Sequence, residues 1–572
     1  MKSSSIPPPL RALLGQSVRI FLTHLHYDGR LAARYQRQGR VIAVDDSAVT
    51  VRLDPSQKDW RLRPDRHIFH PSREVGVDWE VRAGRVGVGY LRDVTKWPVL
   101  VAAPSPQGPR ALRLHSGLLF CGFLLLYGIA LLCLLSSLSL WLDEILDLRL
   151  VRNDSLSSFF SDIAQNGGGV PLGYLVQKAV VAGFGYSRWT GRLPSVFGSV
   201  LGCMGLWQLG RRLPLRFPFL AVLLFALSPL QLRYALEARP YSLALALSIW
   251  ASVLFLDVLR RPTLVRAFWY GGLVLAGLYT QPYSFFVPLT HLAWLLCCRR
   301  TGRCPLFLVI GALAVALFGF LPWYVWASHR WAPSGSEASW SSGVGLKTPL
   351  LILRELSGAG YPGTLLLLGY AGLGGWSRCS RSDRSLWAFL FLLPILLALW
   401  ADQHFGYFFA IRQILFVLPP LTLLAARGLE RQAQHQPRPA LAGGILLLLV
   451  LFIGDIQFFR KPREDWEKAA QILQTLAQQG SCLLFVPADS EPLYEFFVPK
   501  LHHYSCKDPG TRSTTMAVAI SPYGAPPPSA GEKEWAETGY WKQAEYNRAG
   551  PRIRWYRVAS PPPGSGPGKN LF

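Results

Sequence analysis

The sequence predicts an all-α polytopic membrane protein of about eleven transmembrane helices, with a small β-rich cytoplasmic domain before them and a small α/β domain at the outer face after them. Three observations lead there. Apolar residues make up 51% of the 572-residue chain and charged residues only 16%, against about a quarter charged in a soluble domain. Aromatic residues reach 13%, too many for a disordered chain. The net charge of +25 divides as +9 over residues 1–114, +13 over 115–459 and +3 over 460–572. In the middle piece the basic residues gather between apolar runs, so the excess reads as topology and not as a nucleic-acid footprint.

Runs near spanning length fall at 115–141, 192–210, 216–232, 240–258, 267–281, 283–298, 304–327, 361–376, 385–401, 412–426 and 439–457. The fifth, eighth and tenth are short. Connectors such as Arg211-Arg212, Arg260-Arg261 and Arg299-Arg300 alternate with connectors such as Trp141-Leu142-Asp143-Glu144. The positive-inside rule then puts the N-terminus in the cytoplasm, and an odd count puts the C-terminus outside. A multi-pass protein of the cell (inner) membrane is expected, with the first span as its membrane signal and no cleavable leader.

Within 1–103, short β-type runs (Val18–Leu22, Val41–Val44, Val49–Leu53, Val86–Tyr90) alternate with turn signals, which suits a β-rich domain. A Pro-containing linker, 104–114, precedes the spans. Residues 460–559 lose the spanning pattern. Asp465 to Gln479 reads as an amphipathic helix and Ser481 to Pro487 as a buried strand. The Pro/Gly/Ser-rich tail, 560–572, reads as disordered. Of nine cysteines, only Cys482 and Cys506 fall in the outer domain, where a disulfide and two free thiols are both open.

The outer segment 142–191 is far longer than a connection needs, which marks it as a site. It opens with Asp143-Glu144, which reads either as two solvated interfacial carboxylates or as an acidic pair whose desolvation a cation, a metal or proton transfer offsets. A second polar cluster, Leu227 to Ser242, holds Glu237, Arg239 and Tyr241 at an outward helix start. That arrangement suits either a self-neutralising Glu/Arg cap or a bound phosphate. A third runs from His404 to Gln413, where Arg412 either meets a ligand or snorkels to headgroups.

In order, these residues carry a resemblance. The Asp143-Glu144 pair is followed by a Pro-Leu-Gly-Tyr helix and by Arg192-Leu193-Pro194-Ser195. Then come Leu227-Ser228-Pro229, Glu237-Ala238-Arg239-Pro240-Tyr241-Ser242 and Arg412 before an apolar helix. The set resembles the GT-C superfamily of glycosyltransferases, in particular the protein O-mannosyltransferase and lipid A aminoarabinose transferase branch (glycosyltransferase family 39-like). The resemblance covers roughly 115–470, and Lys461 to Trp466 is similar to members with an outer C-terminal domain. Gly169-Val170-Pro171 and Tyr279-Thr280-Gln281-Pro282 depart from the family pattern.

The resemblance implies transfer of a hexosyl or pentosyl unit from a polyprenyl-phosphate-linked donor to a hydroxyl of a protein, lipid or glycan acceptor, with inversion, at the outer face. Carried onto this sequence, Asp143 becomes the base, Glu144 its orienting partner and Glu237 a second acidic contact. Arg192, Arg239 and Arg412 become the donor-phosphate ligands. Hard carboxylates at Asp143 and Glu237 suit a divalent cation, magnesium or manganese, and family members differ in metal use. The competing classes are a transporter, a lipid-linked glycan flippase and a glycan ligase. Transporters place acidic sites near the bilayer midplane among inverted repeats, whereas these acids stand at span ends. A ligase has its long outer loop late in the chain.

Overall fold

The computed structural model describes strand segments within residues 17–90 and the chain from 110 to 558, with breaks at 153–154, 166–168, 214, 298–302, 331–346, 376–380, 406–409, 462, 487–489, 507–514, 522–539 and 548–550. Most of the expected linker and the whole 560–572 tail lie outside the described residues. The chain divides into two compact units, one built on residues 1–113 and one on most of 114–572.

The first unit holds β1 (Ser17–Leu25), β2 (Leu31–Val44), β3 (Val49–Asp54), β4 (Asp59–Leu62), β5 (Ile68–Pro71), β6 (Trp79–Val86) and β7 (Gly89–Tyr90). They form one sheet in the order β4-β3-β2-β1-β6-β5, with β7 on β6. β1 and β6 run parallel, and the other pairs run antiparallel. The expected β runs fall on β1, β2, β3 and the β6–β7 region.

The second unit is helical at first. α1 (Arg110–Leu134) unwinds through a 3-10 turn at Leu135–Ser137, and α2 (Leu142–Arg152) restarts the chain. α3 (Leu156–Gln165) and α4 (Pro171–Phe184) complete the long segment between the first two spanning helices. α5 (Arg188–Arg212) starts where Ser187 and Thr190 cap each other's backbone N–H groups, the reciprocal arrangement that stops a helix from fraying. α6 (Pro218–Ala226) and α7 (Pro229–Ala235) are two halves of one apolar segment bent by 67°, since Pro229 cannot donate the hydrogen bond that would continue α6. Then follow α8 (Tyr241–Arg260), α9 (Leu264–Thr280), α10 (Phe286–Cys297), α11 (Arg303–Ser328), α12 (Thr348–Glu355), α13 (Gly360–Gly375), α14 (Arg381–Phe405), α15 (Leu418–His435) and α16 (Pro437–Arg460).

Among the described residues seven helices are long and apolar enough to cross a membrane, or eight with the bent pair counted as one. The sequence suggested eleven. The other three runs do form helices: α9 has 17 residues, α13 has 16, and 282–298 gives a single 3-10 turn plus the 12 residues of α10. At 1.5 Å per residue these are shorter than a bilayer core of about 30 Å. The break at Gln281-Pro282 falls where the fifth and sixth expected runs meet. Leu119, Leu126, Phe318 and Leu449 stand exposed on the spanning helices, as side chains facing acyl chains do.

Two glycines bring the site's elements together. A Cβ on Gly198 of α5 would lie 2.7 Å from the Leu243 nitrogen of α8, and one on Gly173 of α4 would lie 2.6 Å from Pro240 Cβ. Neither approach is open to a larger residue.

The chain ends in a sheet layered on a helix: α17 (Trp466–Gln478), β8 (Cys482–Val486), α18 (Glu491–Glu495), β9 (Thr515–Ile520), β10 (Tyr540–Asn547) and β11 (Arg552–Val558). Strand order is β10-β11-β9-β8, and β8 runs parallel to β9. α17 and β8 occupy the expected helix and strand. Cys482 and Cys506 are joined as a disulfide with Cα atoms 5.8 Å apart, which resolves the alternative left open by sequence. The core of this domain, centred on Trp466, Leu473 and Tyr494, continues into Leu140, Ile145 and Leu148 around α2. This C-terminal domain is thus packed directly on the helix that carries Asp143 and Glu144.

Candidate active site

The end of α1 exposes carbonyl groups that no helical N–H reaches. Arg192, on α5, fills that gap. Its Nη1 donates to Leu135 O at 3.0 Å and Leu138 O at 2.9 Å, and its Nη2 donates to Ser139 O at 3.1 Å. The remaining donors grip Glu144: Nε to Oε1 at 2.8 Å and Nη2 to Oε2 at 2.7 Å. Both side chains are 0% exposed. Glu144 Oε1 also accepts the Ala238 N–H at 2.7 Å, tying α2 to the turn before α8. A guanidinium has five N–H bonds, and here all five have protein acceptors. Arg192 therefore has nothing left for the donor phosphate that the sequence assigned to it. Glu144 likewise faces Arg192 instead of orienting Asp143, because successive helical residues point about 100° apart.

Asp143 looks the other way. Its side chain is 24% exposed, with Oδ2 at 3.7 Å from Arg239 Nη2 and 3.6 Å from Arg412 Nη1. Both separations exceed a hydrogen bond. The two guanidiniums also lie over the Tyr241 ring, at 5.5 Å and 5.9 Å, within cation–π range. Arg239 is anchored by Nη1 on both oxygens of Asp147, at 2.9 and 3.0 Å, and Asp147 accepts from Tyr174 Oη at 3.2 Å. Burial pushes the Asp147 carboxyl up to about 6; Arg239 opposes that shift and the nearby Asp143 adds to it.

Glu237 forms the third corner. Arg233 Nε donates to its Oε1 at 3.1 Å and Arg463 Nη2 at 3.2 Å. Burial raises its pKa, and Arg233 and Arg463 pull it back. Arg463 Nη1 lies 3.9 Å from Glu144 Oε2, and burial lowers its own pKa. Glu237 Oε2, Arg239 Nε and Arg463 Nη1 are buried without a hydrogen-bond partner.

The six sequence-predicted residues fall into two adjoining networks: Glu144, Arg192 and Glu237 meet through Arg463, and Asp143 stands beside Arg239 and Arg412. The expected divalent cation does not fit. Asp143 is flanked by Arg239 and Arg412 and Glu237 by Arg233 and Arg463, so guanidinium charge already stands where a metal would. No group of three His, Cys, Asp or Glu suited to a metal occurs among the described residues. Sequence reasoning missed Asp147, Tyr174 and Arg463 as site residues. Asp147 was findable, since it lies four residues from Asp143 on one helical face. Nothing in the sequence shows that Arg463 reaches back to Glu237.

Residues 169–326 match the family model described as dolichyl-phosphate-mannose-protein mannosyltransferase, a stretch that includes Tyr174, Arg192, Glu237, Arg239 and Tyr241. Over that stretch the chain is similar to this mannosyltransferase family. No curated protein sequence matches it. Among solved structures, the chain is similar to ArnT from Cupriavidus metallidurans in the apo state, at 14% identity and a TM-score of 0.47, over 77% of this chain and 99% of that one. It is similar as well to the Archaeoglobus fulgidus oligosaccharyltransferase in complex with zinc and sulfate, at 12% identity and a TM-score of 0.44, over 76% of this chain and 73% of that one. A third is the mycobacterial arabinofuranosyltransferase AftD, at 18% identity and a TM-score of 0.47, over 77% and 40%.

Proposed function

We propose that this protein is a GT-C glycosyltransferase that moves a sugar from a polyprenyl-phosphate-linked donor to an acceptor hydroxyl at the outer membrane face, with inversion. The observation that carries the reading is Asp143. It is the most exposed of the four acids in the cluster, and two guanidiniums flank it without hydrogen-bonding it. An acceptor oxygen attacks the anomeric carbon as its proton passes to Asp143, and the carbon–oxygen bond to the donor phosphate breaks with the electron pair leaving on phosphate. Base and leaving group then stand on opposite sides of the sugar. Arg239 and Arg412 meet the phosphate as its charge grows, where fixed donors are worth most. The Glu144–Arg192 pair holds α2 in place, and no metal takes part in the step. The family description, with its dolichyl-phosphate-mannose donor, supports a lipid-linked sugar. The eleven-span topology, with the N-terminus inside and the outer domain outside, belongs to the same proposal.

The test incubates the purified full chain in lipid with several polyprenyl-phosphate sugars and candidate acceptors, following release of the free carrier phosphate. One donor should turn over. Asp143→Asn keeps the shape of the carboxyl and removes its basicity, so turnover should fall by about 10²–10⁴-fold while donor affinity stays. Wild-type turnover in that variant would take Asp143 out of the mechanism.

A further inference from the structure

The first residues of the outer domain touch the site at several points. Arg463 reaches Glu237 and Glu144, as described. Glu464 Oε2 accepts the backbone N–H of Leu142 at 3.0 Å, and Glu464 O accepts from Ser139 Oγ at 2.8 Å. Trp466, fully buried in the outer-domain core, donates Nε1 to the same Glu464 Oε2 at 2.8 Å. Between them Asp465 accepts from Lys468 N at 3.1 Å and so caps α17. One short segment begins one helix and caps another.

Leu142 is the first residue of α2. The first N–H groups of a helix find no acceptor within it, and a side chain just ahead in sequence usually supplies one. Here the acceptor stands 322 residues later. A carboxylate at that end is also favoured by the helix dipole. Asp143 follows Leu142 directly, so the point at which α2 starts decides where the Asp143 carboxylate stands.

We infer that Glu464 is a positioning residue: it caps α2 from the outer domain, Trp466 aligns it, and Arg463 fixes Glu237 and Glu144 to the same segment. The outer domain thereby completes the catalytic geometry and is not an appended module. This rests on the proposed transfer only for the task given to Asp143; the cap is read from contacts alone.

Glu464→Ala and Glu464→Gln in the full chain, held in lipid nanodiscs, test it in two arms. Hydrogen exchange at the first turn of α2 should speed up roughly tenfold or more in the alanine variant, with α8 unchanged. The glutamine variant, whose amide oxygen still accepts, should restore protection. With the lipid-linked sugar that turns over, the alanine variant should lower kcat about tenfold at a donor KM within about twofold, and glutamine should recover most of it. Unchanged exchange at 142–145 in the alanine variant overturns the cap, whatever the protein catalyses. Faster exchange with unchanged kcat overturns the positioning role and leaves the transfer standing. A rise in exchange shared by α8 also overturns it, because Glu464 would then hold the whole fold and not α2. The exchange arm needs no donor, so it decides the cap even if the transfer reading fails.

Discussion

Asp143 and Glu144 are neighbours in the chain and belong to different regions of the site. Glu144 lies in a closed knot around Arg192, sealed from solvent, in which every guanidinium N–H has an acceptor. Asp143 lies in an open cluster around Tyr241, part exposed, with guanidiniums at 3.6 and 3.7 Å that bind nothing else of it tightly. The same pairing of acid with arginine serves fixity in one place and availability in the other. Burial separates the two: a saturated, dry pair can only be broken, whereas a loose, wet one can exchange partners with a substrate.

The largest expected effect comes from breaking the knot. Arg192→Met leaves Glu144 charged and buried, together with three unpaired carbonyls, and removing one partner of a buried pair costs about 3–5 kcal/mol. Thermal unfolding of the purified protein should show a large loss of stability. Asp143→Asn, by contrast, should leave stability within about 1 kcal/mol, because exposed pairs are worth little. If Arg192→Met kept its thermal midpoint and lost only donor affinity, the knot would be a phosphate site after all.

A smaller effect is expected on the open side. Arg412→Lys keeps the charge and loses both the planar fork and the stacking on Tyr241. Donor KM should rise about tenfold, equivalent to about 1.4 kcal/mol, with stability unchanged. Unaltered kinetics would return Arg412 to a headgroup anchor.

Much of this was legible before the fold. The acids and arginines of the two adjoining networks, Asp143, Glu144, Arg192, Glu237, Arg239 and Arg412, all stood at outward span ends, where polar residues in an apolar chain are conspicuous. Their division of labour was not legible. Which face of α2 turns inward depends on α5 and on the turn at Ala238, contacts 48 and 94 residues away. Arg463 and Glu464 were hidden for the same reason, being 226 and 322 residues from their partners. The span count differs for another reason: three of the eleven apolar runs form helices of 12 to 17 residues.

The sharpest probe of the boundary between the two regions is the pH response of Asp147. It is buried like Glu144 but bound to Arg239 of the open cluster. Its carboxyl titrates near 6 in the folded protein, above the unfolded value of about 3.9. The folded state therefore holds the proton more tightly than the unfolded one. The sign follows: the stabilisation is fully present below about pH 4, is lost as pH rises through about 6, and is flat above that. Asp147→Asn cannot titrate, so its thermal midpoint should lack this falling limb when scanned from pH 4 to 8. Protonation also releases Arg239 from its anchor, so wild-type donor KM should change through the same window while the asparagine variant shows no such step. A falling limb that survives in Asp147→Asn would assign the titration to another carboxyl of the cluster, with Glu237, whose pKa burial also raises, the next to substitute.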